Sequence, residues 1–490
     1  MMNLKPKQQL TEAEIQSGLR MVIGDGLAAE AMTTLTGGAF LVAMALLLGA
    51  TNLQIGQLAA LPTFTNIFQL LSIWLVRRYH NRRAVAVICA WLARFPLLLV
   101  GCLVLLFPQL VSVPVLIGIL FFYYFFGSIA GPSWNSWMKD LVPQKELGSY
   151  FARRGRLTQT LNVVLSLLLA LLLDLIKKYS PGSELTTYAV MFLTAGVIGI
   201  VGSFILSRAP EPQSYLTQAN MLRLLRQPVN DLNFRRLLIF NAAWVLALNL
   251  ATPFFTVYMM KSLSLPLSYV VMLTIISQLC SIFTIRIWGV FADRYSNKTI
   301  IAIGAPLYIL CIVAWCFVGI YTNLYNNLIL LVLIHIGTGV STAGVNLSLT
   351  NIGLKLAPKE DAIVYLSTRN IITALFSSLG PLIGGYLADY FSPRSLHVTA
   401  QWAGPGINKV FRLVVLHDWN FLFLIGALLA LLSLQLLARV KETGEVEKDV
   451  VVRIMRTSIK SNLKEYFLIG DIIHWHEQLR AIVRKKRVVK

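Results

Sequence analysis

Charge is what this sequence has least of. Only 13% of its 490 residues are Asp, Glu, Lys or Arg, about half of the roughly 25% usual in soluble domains. A water-soluble chain of this length would lack the polar side chains to cover its own surface, which excludes an ordinary cytosolic enzyme. Negative charge is the scarcest, with 22 Asp+Glu against 43 Lys+Arg and a formal net charge of +21. In a soluble protein such an excess would suggest nucleic acid; in a hydrophobic one, topology is the first explanation, and no nucleic-acid partner is expected. Cysteine is sparse too: Cys89, Cys102, Cys280, Cys311 and Cys316 all fall in apolar runs. Their spacing suits neither a metal site nor a disulfide framework. No GxxxxGK[ST] phosphate loop occurs, so ATP drive within the chain is not expected. The polar, amphipathic N-terminus, MMNLKPKQQLTEAEIQSGLR, has no small-residue cleavage site, so no removable signal peptide is expected either.

What is abundant is apolar sequence: 56% of the residues are hydrophobic and the mean hydropathy is +0.68. A membrane-spanning helix needs about 20 mostly apolar residues. Twelve such runs are present, at 21–49, 53–76, 84–107, 111–138, 151–176, 185–207, 236–260, 267–291, 299–320, 326–354, 361–389 and 418–439. With the N-terminus inside, 36 of the 43 cations lie in inside segments, six lie outside and Arg94 lies within a span. That is the bias expected of cytoplasmic loops, and it places both termini in the cytoplasm. Residues 440–490 form a basic tail, either an amphipathic helix on the membrane surface or a solvated segment.

The chain also repeats itself. A shift of 216 residues places VRRYHNRRAVAV (76–87) on ADRYSNKTIIAI (292–303), Asp25 on Asn241, and Thr36-Gly37-Gly38 on Thr252-Pro253-Phe254. A shift of 215 places LVPQKE (141–146) on LAPKED (356–361), Tyr150 on Tyr365 and Arg154 on Arg369. The organisation expected is a cytoplasmic N-terminus (1–20), a six-helix bundle (21–207), a central loop (208–235), a second bundle (236–439) and the tail. Transporters are commonly built from such repeats, with the substrate near midplane where they meet.

The segment GVFADRYSNK (289–298), after the eighth span, resembles the loop motif G-x-x-x-D-R-x-x-x-[RK] of the major facilitator superfamily, with Gly289, Asp293, Arg294 and Lys298 at its marked positions. Span count, central loop and duplication extend the resemblance over residues ~20–440. GPSWNSWMKDLVPQKELGSYFARR (131–154) is similar to a signature of a poorly characterised bacterial branch. The resemblance implies an all-α polytopic protein of two pseudo-symmetric six-helix bundles, with spans 1, 4, 7 and 10 lining a cavity. It also implies alternating access in a bacterial inner membrane. The first motif copy departs from the pattern, with Ile73 where glycine is expected and Arg77 where the acid is expected. Gly380-Pro381-Leu382-Ile383-Gly384-Gly385 lies in span 11 and carries no direction of transport.

Ionisable residues at membrane depth are functional candidates by default. Asp25, Ala29, Glu30, Thr33, Thr36 and Gly37 are read as one polar arc of span 1, fit to line a cavity. Asp25 is either a cavity group or a helix-end carboxylate in solvent. Glu30 and Arg94, at similar depth, are expected to pair, either as a coupling switch opened by protonation or by an anionic substrate, or as a permanent structural bridge. His335 serves packing or proton relay. Tyr124, Asn241, Asn249, Tyr258 and Asn346 are candidate cavity groups, with inter-helix hydrogen bonding as the alternative. In the family, the loop acid faces the N-terminus of a helix in the other half, where the dipole also favours it. Two cytoplasmic latches are therefore expected: Asp293 with Arg153, Arg154 and Arg156, and Arg77 with Glu360 and Asp361; the alternative for Arg77 is lipid phosphate. The function expected is secondary transport of a small organic solute on a proton or sodium gradient. A transporter-like receptor acting through the tail and an uncoupled facilitator are the alternatives. A monomer without metal or cofactor, contacting anionic lipid through its basic loops and tail, completes the expectation.

Overall fold

The computed structural model describes residues 6–8, 10–144, 146–213, 226–319, 324–358, 362–404 and 407–442. Within them twelve helices are long and apolar enough to cross a membrane: α1 (Glu12–Leu47), α2 (Asn52–Tyr79), α3 (Arg82–Leu106), α4 (Val113–Leu141), α5 (Leu147–Tyr179), α6 (Pro181–Leu206), α7 (Leu232–Ser262), α8 (Leu267–Arg294), α9 (Asn297–Phe317), α10 (Leu324–Leu356), α11 (Val364–Phe391) and α12 (Trp419–Ala438). We call the face where α1 begins and α12 ends basal, and the opposite face distal. The first helix starts well before the apolar run does, because Thr11 and Glu14 form a capping box that turns the polar N-terminal segment into helix. One departure from an all-helical chain lies between α11 and α12, where β1 (Ser395–Gly404) and β2 (Ile407–His417) pair antiparallel.

Helix contacts repeat between the halves. In the first, α1 packs on α5 and α6, α3 on α4 and α6, and α2 on α4; in the second, α7 packs on α11 and α12, α9 on α10 and α12, and α8 on α10. The halves meet along two equivalent seams, α2 with α11 and α5 with α8. Small residues let the first seam close: a Cβ on Gly385 would lie 2.6 Å from the Asn52 carbonyl oxygen and 2.8 Å from Leu53 Cα. The equivalent position of the second seam, 215 residues earlier, is the fully buried Ala170.

Carboxylates finish the helix ends in symmetric pairs. At the distal face Asp389 of α11 accepts the Asn52 and Leu53 N–H groups at 3.1 and 2.9 Å, capping α2. Asp174 of α5 does the same for Leu267 and Ser268 of α8, both at 2.9 Å. These are the groups a helix start leaves unsatisfied, and the dipole there favours an anion. A shift of 215 carries Asp174 onto Asp389 and Asn52 onto Leu267, so both caps join one half to the other. At the basal face the caps stay within each half. Glu211 accepts the Arg82 and Arg83 N–H groups and pairs with the buried Arg82 guanidinium at 3.2 Å, which also reaches Asp140 at 2.5 Å. Glu442 accepts from Ser296, Asn297 and the Lys298 N–H, and pairs with Lys355 at 3.2 Å. Burial opposes ionisation of Glu442, but the Lys298, Asn297, Ser296 and Lys355 hydrogen bonds together outweigh it and hold its pKa below the ordinary carboxylate value.

Candidate functional site

Two cavities occupy the places where helices lose their regularity. In α1 the helical pieces Glu12–Thr36 and Gly38–Leu47 are separated at Gly37. Gly38 takes φ +54°, a conformation that costs glycine little and other residues about 1 kcal/mol or more. This break faces a central cavity of about 420 Å³ lined from both halves, by Thr33, Thr34, Gly37, Tyr124 and Asn162 on one side and Pro253, Thr256, Thr274 and Gln278 on the other. The repeat places Thr252-Pro253-Phe254 opposite the α1 break; there α7 remains helical through Pro253. Broken helices at a repeat interface are a recurrent way to build a transport site, because the interrupted backbone can meet a ligand.

The second cavity, about 500 Å³, lies within the first half. Asp25, Asn66, Gln69, Arg94, Tyr123, Tyr124, Trp134, Asn135 and Arg154 line it. It fronts a second irregularity: α2 passes through a 3-10 turn at Asn66–Phe68, four residues after Pro62. Pro62 and Tyr124 line both cavities. Glycines on α6 let α3 and α1 approach: a Cβ on Gly199 would lie 2.7 Å from Arg94 Cγ, and one on Gly202 would lie 2.6 Å from Ala28 Cβ. Arg94 donates one N–H to the Ala90 carbonyl at 2.7 Å. Arg154 lies over Gly26, with its Cζ 5.0 Å from the Trp134 ring centroid. Asp25 is within electrostatic reach of both arginines.

The expected pairing of Glu30 with Arg94 is not formed. Glu30 is half-buried and lines neither cavity, while Asp25 shares the first-half cavity with Arg94. Five residues of helix turn the side chain by roughly 500°, so the two acids of α1 point about 140° apart. They do not share one arc, and similar depth along two helices does not make neighbours of them. Thr33 is where it was expected, on the central cavity, whereas Thr36 is buried and donates to the Met32 carbonyl at 2.8 Å.

In the second half the candidates are mostly packing groups. Tyr258 donates to the Val318 carbonyl at 2.6 Å among Trp315 and Phe423. His335 holds Nδ1 2.7 Å from the Leu331 carbonyl and sets its ring edge-on to Trp315. Asn249 reaches Val245 and, at 3.5 Å, Ser377 of α11. Asn346 is exposed, and Asn241 is buried with neither side-chain polar atom hydrogen-bonded. None of these five lines either cavity.

The motif residues are placed differently from the latches expected of them. Asp293 is exposed, as are Arg153 and Arg156, and among the described residues no ion pair joins it to α5. Arg154 is turned inward to the first-half cavity. Arg294 lies over the Tyr295 ring, Lys298 reaches the Ala438 carbonyl at 3.4 Å, and a Cβ on Gly289 would make only ordinary contact with Leu347. Arg77 is half-buried; Glu360 and Asp361 lie outside the described residues. What sequence reasoning missed are the caps, Asp174, Asp389, Glu211 and Glu442. The 215-residue shift was the available signal for the first two.

No curated protein matches the sequence. Among solved structures, a variant of the nucleoside transporter NupG superposes with a TM-score of 0.65 at 14% identity, covering 87% of this chain and 100% of that one. A D-xylose–proton symporter gives 0.63 at 13% identity, covering 89% and 98%. A bacterial homologue of the human lysosomal transporter Spinster, inward-facing and unoccupied, gives 0.56 at 15% identity, covering 78% and 84%. At these identities the likeness is one of fold. A family model described as Major Facilitator Superfamily matches residues 26–361 and 237–468, together nearly all of the twelve-helix region, and the chain belongs to that superfamily of membrane transporters.

Proposed function

We propose that the protein is a secondary active transporter that carries a small organic solute by rocking its two six-helix halves, joined by the 208–235 connection. The observation that carries this reading is the pair of symmetric inter-half caps, Asp389 on α2 and Asp174 on α8, at one end of a central cavity lined by both halves. At the other end the basal piece of α2, Gln69–Tyr79, packs on α4 and makes no comparable contact with α11. In this reading the basal face, where the cations of the sequence gather, is cytoplasmic, and the closed distal caps are those of an inward-facing state in a bacterial inner membrane. Solute release then breaks no cap, and the outward-facing state requires both caps to open.

Asp25 is the coupling group in this reading. Its carboxylate faces Arg94 and Arg154 in the first-half cavity, so protonation removes a counter-charge where solute enters. Glu30, half-buried and without an ion-pair partner among the described residues, is the secondary candidate.

Side-specific labelling tests the transport cycle without knowledge of the solute. In a background with all five cysteines replaced, Thr33→Cys is expected to react with a membrane-impermeant maleimide mainly from the cytoplasmic side. Combining Asp174→Asn with Asp389→Asn is expected to raise labelling from outside several-fold. Labelling from one side only in both backgrounds would refute the rocking cycle.

A further inference from the structure

The first-half cavity has more positive charge than it can satisfy. Arg94 is only 8% exposed; one of its terminal nitrogens is held by the Ala90 carbonyl, and its Nε has no hydrogen-bond partner. Arg154 Nε is buried and likewise without a partner. Against these two guanidinium groups stands one carboxylate, Asp25, 6% exposed, whose Oδ1 also lacks a partner. Burying an uncompensated charge costs several kcal/mol, and a guanidinium fork matches the paired oxygens of a carboxylate or phosphate. Close by are aromatic surfaces of the right kind for an organic body: Trp134, already beneath Arg154, and Tyr123 and Tyr124. The volume, about 500 Å³, falls in the range of small-molecule sites.

We propose that this cavity binds an organic anion, its carboxylate or phosphate head between Arg94 and Arg154 and its apolar body against Trp134, Tyr123 and Tyr124. The proposal rests on the transporter reading and names the substrate class for it. Asp25 competes with the substrate head for the same two cations. An anion entering with a proton leaves the cavity with Asp25 neutral and both arginines paired. Tyr124 also lines the central cavity, where the break in α1 lies.

The test is equilibrium binding to the full chain in phosphatidylcholine nanodiscs. Benzoate and phenyl phosphate serve as probes, with benzamide and benzyl alcohol as neutral counterparts. The anions are expected to bind and the neutral compounds to bind at least tenfold more weakly. Arg94→Gln and Arg154→Gln are expected to weaken the anions at least tenfold, and Arg154→Lys to weaken them less. Asp25→Asn is expected to tighten them several-fold, a gain that misfolding cannot produce. Equal binding of anions and neutral counterparts overturns the proposal. So does wild-type affinity in a folded Arg154→Gln protein, or weaker binding in Asp25→Asn. Nanodiscs containing phosphatidylglycerol separate a soluble anion from a lipid headgroup: unchanged probe affinity supports the solute, and competitive loss assigns the site to lipid. The labelling of Thr33→Cys needs no probe, so a failure of anion binding leaves the rocking cycle separately judged.

Discussion

The two halves share a helix plan and differ in what they put at its centre. In the first half, Asp25, Arg94 and Arg154 converge on a cavity. The repeat places these positions on Asn241, Leu310 and Arg369, where the acid has become a neutral amide and the Arg94 position is a surface leucine, 63% exposed. The basal networks diverge in the same direction: Arg82 and Asp140 of the first half fall on Lys298 and Lys355 of the second, while Glu211 and Glu442 serve the same capping role. The two halves therefore keep the caps that hold helix ends and differ in their interior charges. In the proposed cycle the symmetric frame rocks, and the first half supplies the charged groups.

The largest expected effect probes the seams. Gly385→Ala puts a methyl against the backbone of Asn52 and Leu53, which cannot give way as a side chain would. It is expected to separate α11 from α2 and abolish distal closure, seen as full outside access to Thr33→Cys. Ala170→Gly, at the equivalent point of the other seam, is expected to leave access within about twofold, since it opens only a methyl-sized gap of ~1 kcal/mol. Comparable effects at both points would show the seams to be alike.

Next comes the buried cation. Arg82→Met strands Glu211 and Asp140 and is expected to cost about 3–5 kcal/mol, read as a drop in the melting midpoint of the purified protein. Lys298→Met, at the equivalent but half-buried position, is expected to cost under ~1 kcal/mol. The smallest effect concerns pH. The folded pKa of Glu442 is held below its ordinary value, so its contribution is complete above the unfolded pKa and fades as pH falls through the folded one. Glu442→Gln is expected to lower the melting midpoint by the equivalent of about 1–3 kcal/mol at neutral pH. The gap between variant and wild type should shrink below about pH 4.

The reach of the sequence follows from what each signal measures. Hydrophobic runs measure length, and the twelve spans are visible because crossing a membrane demands a long apolar run, whether or not its helix is interrupted as in α1 and α2. The β-hairpin is not visible: its strands lie in a connection, where no apolar run marks them. Depth along a helix is legible for Asp25, Glu30 and Arg94, but azimuth between neighbouring helices is not, so the sequence does not tell that Asp25 and not Glu30 shares the cavity of Arg94. Asp174 and Asp389 sit at helix ends among exposed charges, where a carboxylate capping another helix looks like any solvated one. Arg154 reads in the sequence as a latch partner for Asp293; its packing over Gly26, which turns it into the cavity, is invisible there because Gly26 lies far away in the chain.

Asp174 and Asp389 are proposed as the distal closure. Pulsed electron-spin distances between labels at Leu110→Cys and Leu324→Cys, one on each half at the distal face, address this directly. Each cap holds about 1 kcal/mol, so a dominant short distance is expected in the wild-type background. Asp174→Asn combined with Asp389→Asn should shift roughly tenfold or more of the population ratio toward a longer distance. One distance distribution, unchanged when both carboxylates are removed, would contradict it.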